Sequence, residues 1–341
     1  MKVEVEAKYL VNLFTDFVRN NKVMFNFKVD GKTIDVQMIG DYTACTNIPV
    51  KSLDNDYTVI DASFWVTKAI AVMDSDKPVT ILFSDAVVFM EQDTFSSTFV
   101  KEHEERRNYP DPSGFELKPA YANRLKYLTH SVISCNGLAK ELSISDPDPV
   151  FANNKFYADY RQTFFIESMQ YPELCIPLST LREFAYKLDE NAEFCYLQDL
   201  NTVYFRSKDY DFWVPTNNYN ISGSVINAID RKLLECKKVT DLCFTDYVDK
   251  LSIIAGAFPK QKMSFLIGDG VFSISVNNND VQCTVGEKMN NSLIGLSLTS
   301  GQVAVVAKLF KEDESVECLR GGNCICLRSG EKNILIAGMI Y

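Results

Sequence analysis

Histidine is scarce in this 341-residue chain: only His103 and His130 occur. His103 sits in the charged run Lys101-Glu102-His103-Glu104-Glu105-Arg106-Arg107, which reads as a solvated loop, and His130 falls on an expected helix. There is no Gly-x-Ser-x-Gly, no Gly-rich loop ahead of a Lys-Ser/Thr pair and no His-Glu-x-x-His. The common signatures of serine hydrolases, P-loop enzymes and zinc peptidases are therefore missing. The carboxylate pairs Asp146-x-Asp148 and Asp209-x-Asp211 read as turn chemistry rather than a magnesium site. No catalytic residue, metal or cofactor is implied. No stretch approaches the ~20 uninterrupted apolar residues of a membrane helix. The N-terminus alternates charge with valine and lacks the apolar centre of a signal peptide. The expectation is a cytoplasmic, non-membrane, non-enzymatic protein.

What is present is ordinary globular material, 46% hydrophobic and 23% charged. Ten cysteines are scattered through apolar segments and not clustered at ligand spacing, so reduced, buried thiols are expected. The formal net charge of −10 argues against a surface that coats nucleic acid everywhere. It leaves room for basic residues gathered on one face.

The organising feature is a repeat of pattern rather than identity. One strand leads into one amphipathic helix, and three strands follow. The clearest copy is the last. A strand over 292–298 meets Thr299 and Ser300 as helix-cap candidates, and Val303, Val306, Ala307 and Phe310 follow at helical spacing. Strands at 315–319, 324–328 and 333–341 are separated by Gly321-Gly322-Asn323 and Ser329-Gly330-Glu331-Lys332. The same order predicts helices around Phe64–Met73 (capped by Asp61), around Leu181–Leu188 (capped by Ser179) and around Val248–Ala255 (capped by Thr245). Weaker copies place helices over 7–19 and 119–134. Paired, six copies predict three domains, 1–112, 113–222 and 223–341, with linkers near 109–114 and 217–230.

Three segments carry a resemblance to a known family. Cys175-Ile176-Pro177-Leu178-Ser179-Thr180-Leu181-Arg182-Glu183-Phe184 is similar to a strand-Pro-helix segment of the bacterial β sliding clamp, the processivity subunit of DNA polymerase III. Tyr157-Ala158-Asp159-Tyr160-Arg161 stands where that family has Ala-Thr-Asp-Gly-His-Arg, and Ile334–Tyr341 resembles its terminal strand. Tyr160, Arg161 and Gly338 depart from the family's residues, which bears on the shape of a partner pocket. The resemblance implies an α+β, three-domain DNA clamp fold of six strand-helix-strands repeats, with helices lining the inner face of a homodimeric ring. It implies a polymerase processivity factor that encircles double-stranded DNA without reading sequence, with a DNA polymerase and a clamp loader as partners.

Such a protein needs basic helices, because phosphate attraction is sequence-independent and base contacts would arrest sliding. The expected helices do carry more basic than acidic residues, while the rest of the chain is acidic. The DNA-facing candidates are Arg124, Lys126, Arg182, Lys187, Lys8, Lys68, Lys250 and Lys308. Lys260 and Lys262, just past a helix end, fit either DNA contact or protection of a sheet edge. The resemblance also implies a partner-peptide pocket between the second and third domains, from Ala158, Tyr160, Arg161, Thr163, Leu335, Ala337, Met339 and Ile340. Two rivals stay open: a clamp-fold accessory factor held on DNA by charge without a closed ring, and a metal-dependent nucleic-acid enzyme.

Overall fold

The computed structural model describes residues 1–17, 23–53, 60–67, 72–109, 111–135, 138, 140, 147–160, 163–217, 221–277, 281–287, 292–313 and 315–337. Five copies of the strand-helix-strands order run along it, and the second copy shows its strands in the same order, with residues 68–71 between the first two lying outside the described residues. The first is β1 (Lys2–Glu6), α1 (Ala7–Phe17), β2 (Val23–Val29), β3 (Thr33–Ile39) and β4 (Thr43–Leu53). The second is β5 (Ile60–Val66), β6 (Pro78–Phe83), β7 (Val87–Gln92) and β8 (Phe95–Glu102). The third is β9 (Lys118–Pro119), α2 (Ala122–Ser134), β10 (Val150–Ala152), β11 (Lys155–Asp159) and β12 (Thr163–Ser168). The fourth is β13 (Leu174–Cys175), α3 (Leu178–Phe184), β14 (Glu193–Leu197), β15 (Thr202–Arg206) and β16 (Asp211–Pro215). A helix outside the pattern, α4 (Gly223–Glu235), comes next. The fifth copy is β17 (Lys237–Leu242), α5 (Val248–Ala257), β18 (Lys262–Ile267), β19 (Phe272–Asn277) and β20 (Gln282–Gly286). The sixth is β21 (Ile294–Thr299), α6 (Ser300–Leu309), β22 (Val316–Gly321), β23 (Cys324–Ser329) and β24 (Lys332–Ala337).

Copies are tied in twos by exchange of their leading strands. β1 pairs with β6 and β5 with β2; β9 pairs with β14 and β13 with β10; β17 pairs with β22 and β21 with β18. Each three-stranded meander thus gains its fourth strand from the sister copy. The chain packs as two compact units, 1–122 with 183–215, and 123–182 with 216–341. In the first unit, β4–β16 pairing makes one twelve-stranded sheet, whose first eight strands also close through β1–β4. In the second, β12–β24 pairing makes an eight-stranded sheet beside a four-stranded one.

Local chemistry explains the elements. Lys-Val-Glu-Val-Glu in β1 alternates, and Val3 and Val5 are fully buried. In α1, Leu10, Leu13 and Phe14 form the buried stripe, and Phe14 meets Phe25 of β2 edge-on at 5.2 Å. Thr299 caps α6 as expected, in a reciprocal capping box with Gln302, and Val303, Val306, Ala307 and Phe310 are buried. In α5, Val248, Leu251, Ile254 and Ala255 are likewise buried. The hairpin β22–β23 pairs Gly321 with Cys324, leaving Gly322-Asn323 as the turn with Gly322 at φ +56°.

Several expectations are corrected. Phe64 lies on β5, not on a helix: the apolar spacing around it fits period two as well as 3.6, and pairing with β2 decides. Asp61, expected as a cap, is a strand residue whose carboxylate accepts from Asn26. Of that expected helix, residues 68–71 lie outside the described residues. Ser179 lies inside α3. Its first turn is capped from a distance, the Leu178 amide donating to Asp148 Oδ1 at 2.9 Å. The run after Lys101 is not a free solvated loop. Arg106 pairs with Asp35 at 2.6 Å, and Gln37 both donates to the Arg107 carbonyl and accepts from its amide. The expected linker over 217–230 holds the start of α4, because Ile226, Ile229 and Leu233 give a polar-looking segment one apolar stripe.

Gly286, ending β20, sits at φ +110°, and a Cβ there would lie 2.3 Å from the Phe272 carbonyl oxygen. Gly286→Ala is expected to cost roughly 2–3 kcal/mol in urea denaturation. Gly270→Ala, also at positive φ but facing open space, should cost only about 1 kcal/mol.

Candidate nucleic-acid interface and partner surface

In the second unit, α5 and α6 lie side by side. Small residues, Ser252, Ala255 and Gly256 from α5 and Ser300, Gly301 and Ala304 from α6, line the surface where the helices meet. These leave a shallow groove of ≈ 390 Å³ between the helices. Lys140, Lys260 and Lys308 stand around it. Lys260 is held at φ +63°, with its amide donating to Ser300 Oγ at 2.9 Å. Of these three, Lys308 was expected from its place on α6, and Lys260 was open between two roles. Lys140 was missed, since it follows α2 in a segment without clear periodicity.

The other expected DNA-facing residues differ in how far their charge is already engaged. Lys250 is exposed on α5, 5.8 Å from the Tyr247 ring. Lys126 on α2 and Arg182 on α3 are half-buried. In the first unit, Lys8 is exposed beside Glu6 at 2.5 Å, each holding the other in its charged form. Lys187 donates to the Glu183 carbonyl at 2.7 Å and lies 4.9 Å from the Phe17 ring. Lys68 lies outside the described residues.

Arg124 is engaged by two carboxylates. Its guanidinium meets Glu167 of β12 at 2.6 Å and Glu331, in the β23–β24 turn, at 3.0 Å, 5.7 Å from the Tyr127 ring. Lys332, packed by the same Tyr127 and by Phe310, pairs with Asp313 at 2.8 Å. The Glu167 side chain is only 3% exposed. Burial pushes its carboxyl up to about 7, against the pull of Arg124 and Lys332. This alternating cluster joins α2 to β12 and to the end of the chain's last hairpin.

The expected partner-pocket residues fall on opposite faces of the eight-stranded sheet. On one face Ala158 is fully buried, Tyr160 donates to the Val132 carbonyl of α2 at 3.0 Å, and Thr163 Oγ1 accepts from Gln302 of α6 at 2.8 Å. Leu335 is on the other face, in a cluster with Tyr157, Ile166, Cys324 and Cys326. That face is covered by α4 through Ile226, Ile229 and Leu233. Period-two alternation along β11 and β24 makes this split unavoidable. Ala337 is half-buried at the end of β24, while Arg161, Met339 and Ile340 lie outside the described residues. The cover itself was not anticipated. Asp230 of α4 fixes it, accepting from Asn153 at 3.0 Å, Lys155 at 2.7 Å and Tyr157 Oη at 2.8 Å. These three donors hold the Asp230 carboxyl below the usual carboxylate range despite burial, which acts the other way.

A carboxyl raised on folding contributes stability that is full below its unfolded value near 4.5 and is lost as pH climbs through about 7. Glu167→Gln removes that dependence. Relative to the parent, the variant should gain roughly 1–3 kcal/mol between pH 4.5 and pH 8 in paired urea titrations. A pH-independent difference would show that Arg124 keeps Glu167 ionised throughout.

No family model matches the sequence, and no curated protein matches it. Solved structures do match the fold. The DNA polymerase sliding clamp from Bacillus subtilis is 13% identical with a TM-score of 0.73, covering 99% of each chain. The β subunit of DNA polymerase from Streptococcus pyogenes is 13% identical with a TM-score of 0.71, covering 99% of this chain and 100% of its own. The Helicobacter pylori β clamp bound to a DNA ligase peptide is 10% identical with a TM-score of 0.69, again covering 99% of this chain and 100% of its own. Over its whole length, the chain has the fold of the bacterial β sliding clamps.

Proposed function

We propose that the protein is a DNA sliding clamp, a scaffold that encircles duplex DNA and tethers a replicative polymerase. The observation that carries the reading is the six-copy architecture, in a chain matched end to end by clamp structures. In this reading the three pairs of copies are three domains, 1–112, 113–222 and 223–341. Two chains join head to tail, and a loader places the ring on DNA.

The charge distribution supports it. A sliding protein needs cations that attract phosphates without reading bases. Lys140, Lys260 and Lys308 around the α5–α6 groove, with Lys250 nearby on α5, offer that in a chain of net charge −10. Arg124 takes a different role in this reading. With two carboxylates on its guanidinium, it ties α2 to the sheet and is a poorer phosphate contact than the lysines. The partner surface is assigned to the α4-covered side of the eight-stranded sheet, near Leu335 and Ala337. A polymerase and other replication proteins are the proposed partners.

The test is retention on closed against open DNA. Once loaded on nicked circular DNA, the protein should stay bound in ~0.5 M salt, where charge-held complexes dissociate. Linearising the circle should release it. Retention on the linear form with steep salt dependence would replace the ring by an open accessory factor. Reversing Lys140, Lys260 and Lys308 to Glu should lower loading at ~0.1 M salt roughly tenfold. Arg124→Ala should lower thermal stability more than loading.

A further inference from the structure

Cysteines are not spread evenly through the fold. Cys236, which ends α4, and Cys324 and Cys326 of β23 belong to one buried cluster. Cys236 Sγ lies 4.0 Å from Cys324 Sγ, although 88 positions separate them in sequence. The arrangement depends on Gly321. A Cβ at that position would come 2.8 Å from Cys236 Sγ and 3.2 Å from its Cα and amide nitrogen. The Cys324 thiol donates to the Gly321 carbonyl at 2.8 Å. Two thiols therefore share a slot that exists because Gly321 has no side chain. The separation is larger than an S–S bond, about 2.05 Å, so closing it requires the C-terminal end of α4 to shift toward β23.

The slot has a mechanical position. α4 shares one buried cluster with Val150 and Cys175 of β10 and β13 and with Leu319, Cys324 and Cys326 of β22 and β23, strands that lie on either side of the β12–β24 pairing. Asp230 anchors its middle by three polar contacts. Its C-terminal end is held by Leu233, by Cys236 and by a longer Lys232–Asn323 contact of 3.3 Å. Helix ends open more readily than middles. Cys236, 9% exposed against 1% for Cys324, is the thiol that meets solvent first.

We propose that Cys236 and Cys324 form a redox site that takes a small-molecule disulfide as oxidant and, once closed, fastens the C-terminal end of α4 to β23. The Cys236 thiolate attacks one sulfur of the oxidant, giving a mixed disulfide and releasing one small thiol. Cys324 then attacks Cys236 sulfur and displaces the second small thiol. Two S–H bonds are lost and one S–S bond forms; the oxidant's disulfide takes up both electrons and both protons. Burial pushes the Cys236 thiol up to about 12, so the first attack waits on opening of the helix end and the resting state is the dithiol. A reducing compartment returns it to that state. The site is independent of whether the protein encircles DNA.

Oxidised glutathione is the probe. The full-length protein is incubated with it under native conditions, alkylated and weighed intact. The expected product is about 2 Da lighter before alkylation, has two thiols fewer to alkylate and yields a Cys236–Cys324 linked peptide on digestion. Its unfolding midpoint rises by about 5 °C. Cys236→Ser and Cys324→Ser each abolish the product, and Cys326→Ser leaves it. Because the mapping is made on the unaltered chain, poor folding of a variant does not blur the result. Ten alkylatable thiols after incubation, a stable glutathione adduct, or a link to Cys318 or Cys326 each overturn the proposal.

Discussion

Everything in this fold depends on where the leading strand of each copy finds its backbone hydrogen bonds. A meander of three strands with one helix leaves an open sheet edge, and the strand set before the helix finds its fuller pairing in the sister copy, as β1 does with β6 over five residues against three with β4. Exchange solves both at once: β1 completes β6–β8 while β5 completes β2–β4, and the other pairs repeat it. A buried strand with unmatched N–H and C=O groups costs several kcal/mol. A single copy is therefore not a folding unit, and copies come in twos. The same rule operates once more at β4–β16 and β12–β24, where completed sets are stitched into longer sheets.

Sheets covered on both faces must be apolar on both. The central strands of the eight-stranded sheet show this, with Cys324–Leu327 and Ile334–Ile336 buried at consecutive positions. One side is closed by α2 and α6 through Tyr160 and Thr163. The other is closed by α4 and the Asp230 anchor. β1 contrasts with it, with valines inward and charges outward. The helix outside the repeat is thus the physical counterpart of the continuous apolar runs in the last hairpin. Without α4, Tyr157, Ile166 and Leu335 would face water.

The electrostatics follow from which cations are already matched. Arg124, Lys332, Lys155 and Arg106 are consumed by carboxylates that join one element to another. The lysines around the α5–α6 groove stand where the helix surfaces are made of Ser, Gly and Ala. In a chain of net charge −10, three lysines, Lys140, Lys260 and Lys308, gather around this one groove.

Much of this was legible in the residues. Period-two and period-3.6 patterns, the Thr299 cap and the Gly322-Asn323 turn are local chemistry, so the sequence alone settled the repeat, its order and the α+β class. Local pattern could not settle which strands exchange, because a strand's partner leaves no mark on its own residues. It misplaced Phe64, whose neighbours suit a strand or a helix until β2 pairs with it. It read α4 as linker, because the stripe of Ile226, Ile229 and Leu233 makes a helix worth forming only when a sheet face waits to be covered. It also grouped Ala158 with Leu335, which the two-sided geometry of a strand sets on opposite faces. The partner of Cys236, 88 positions away, and the two carboxylates on Arg124 came from tertiary structure alone. They rest on distances between segments, which no spacing within a segment encodes.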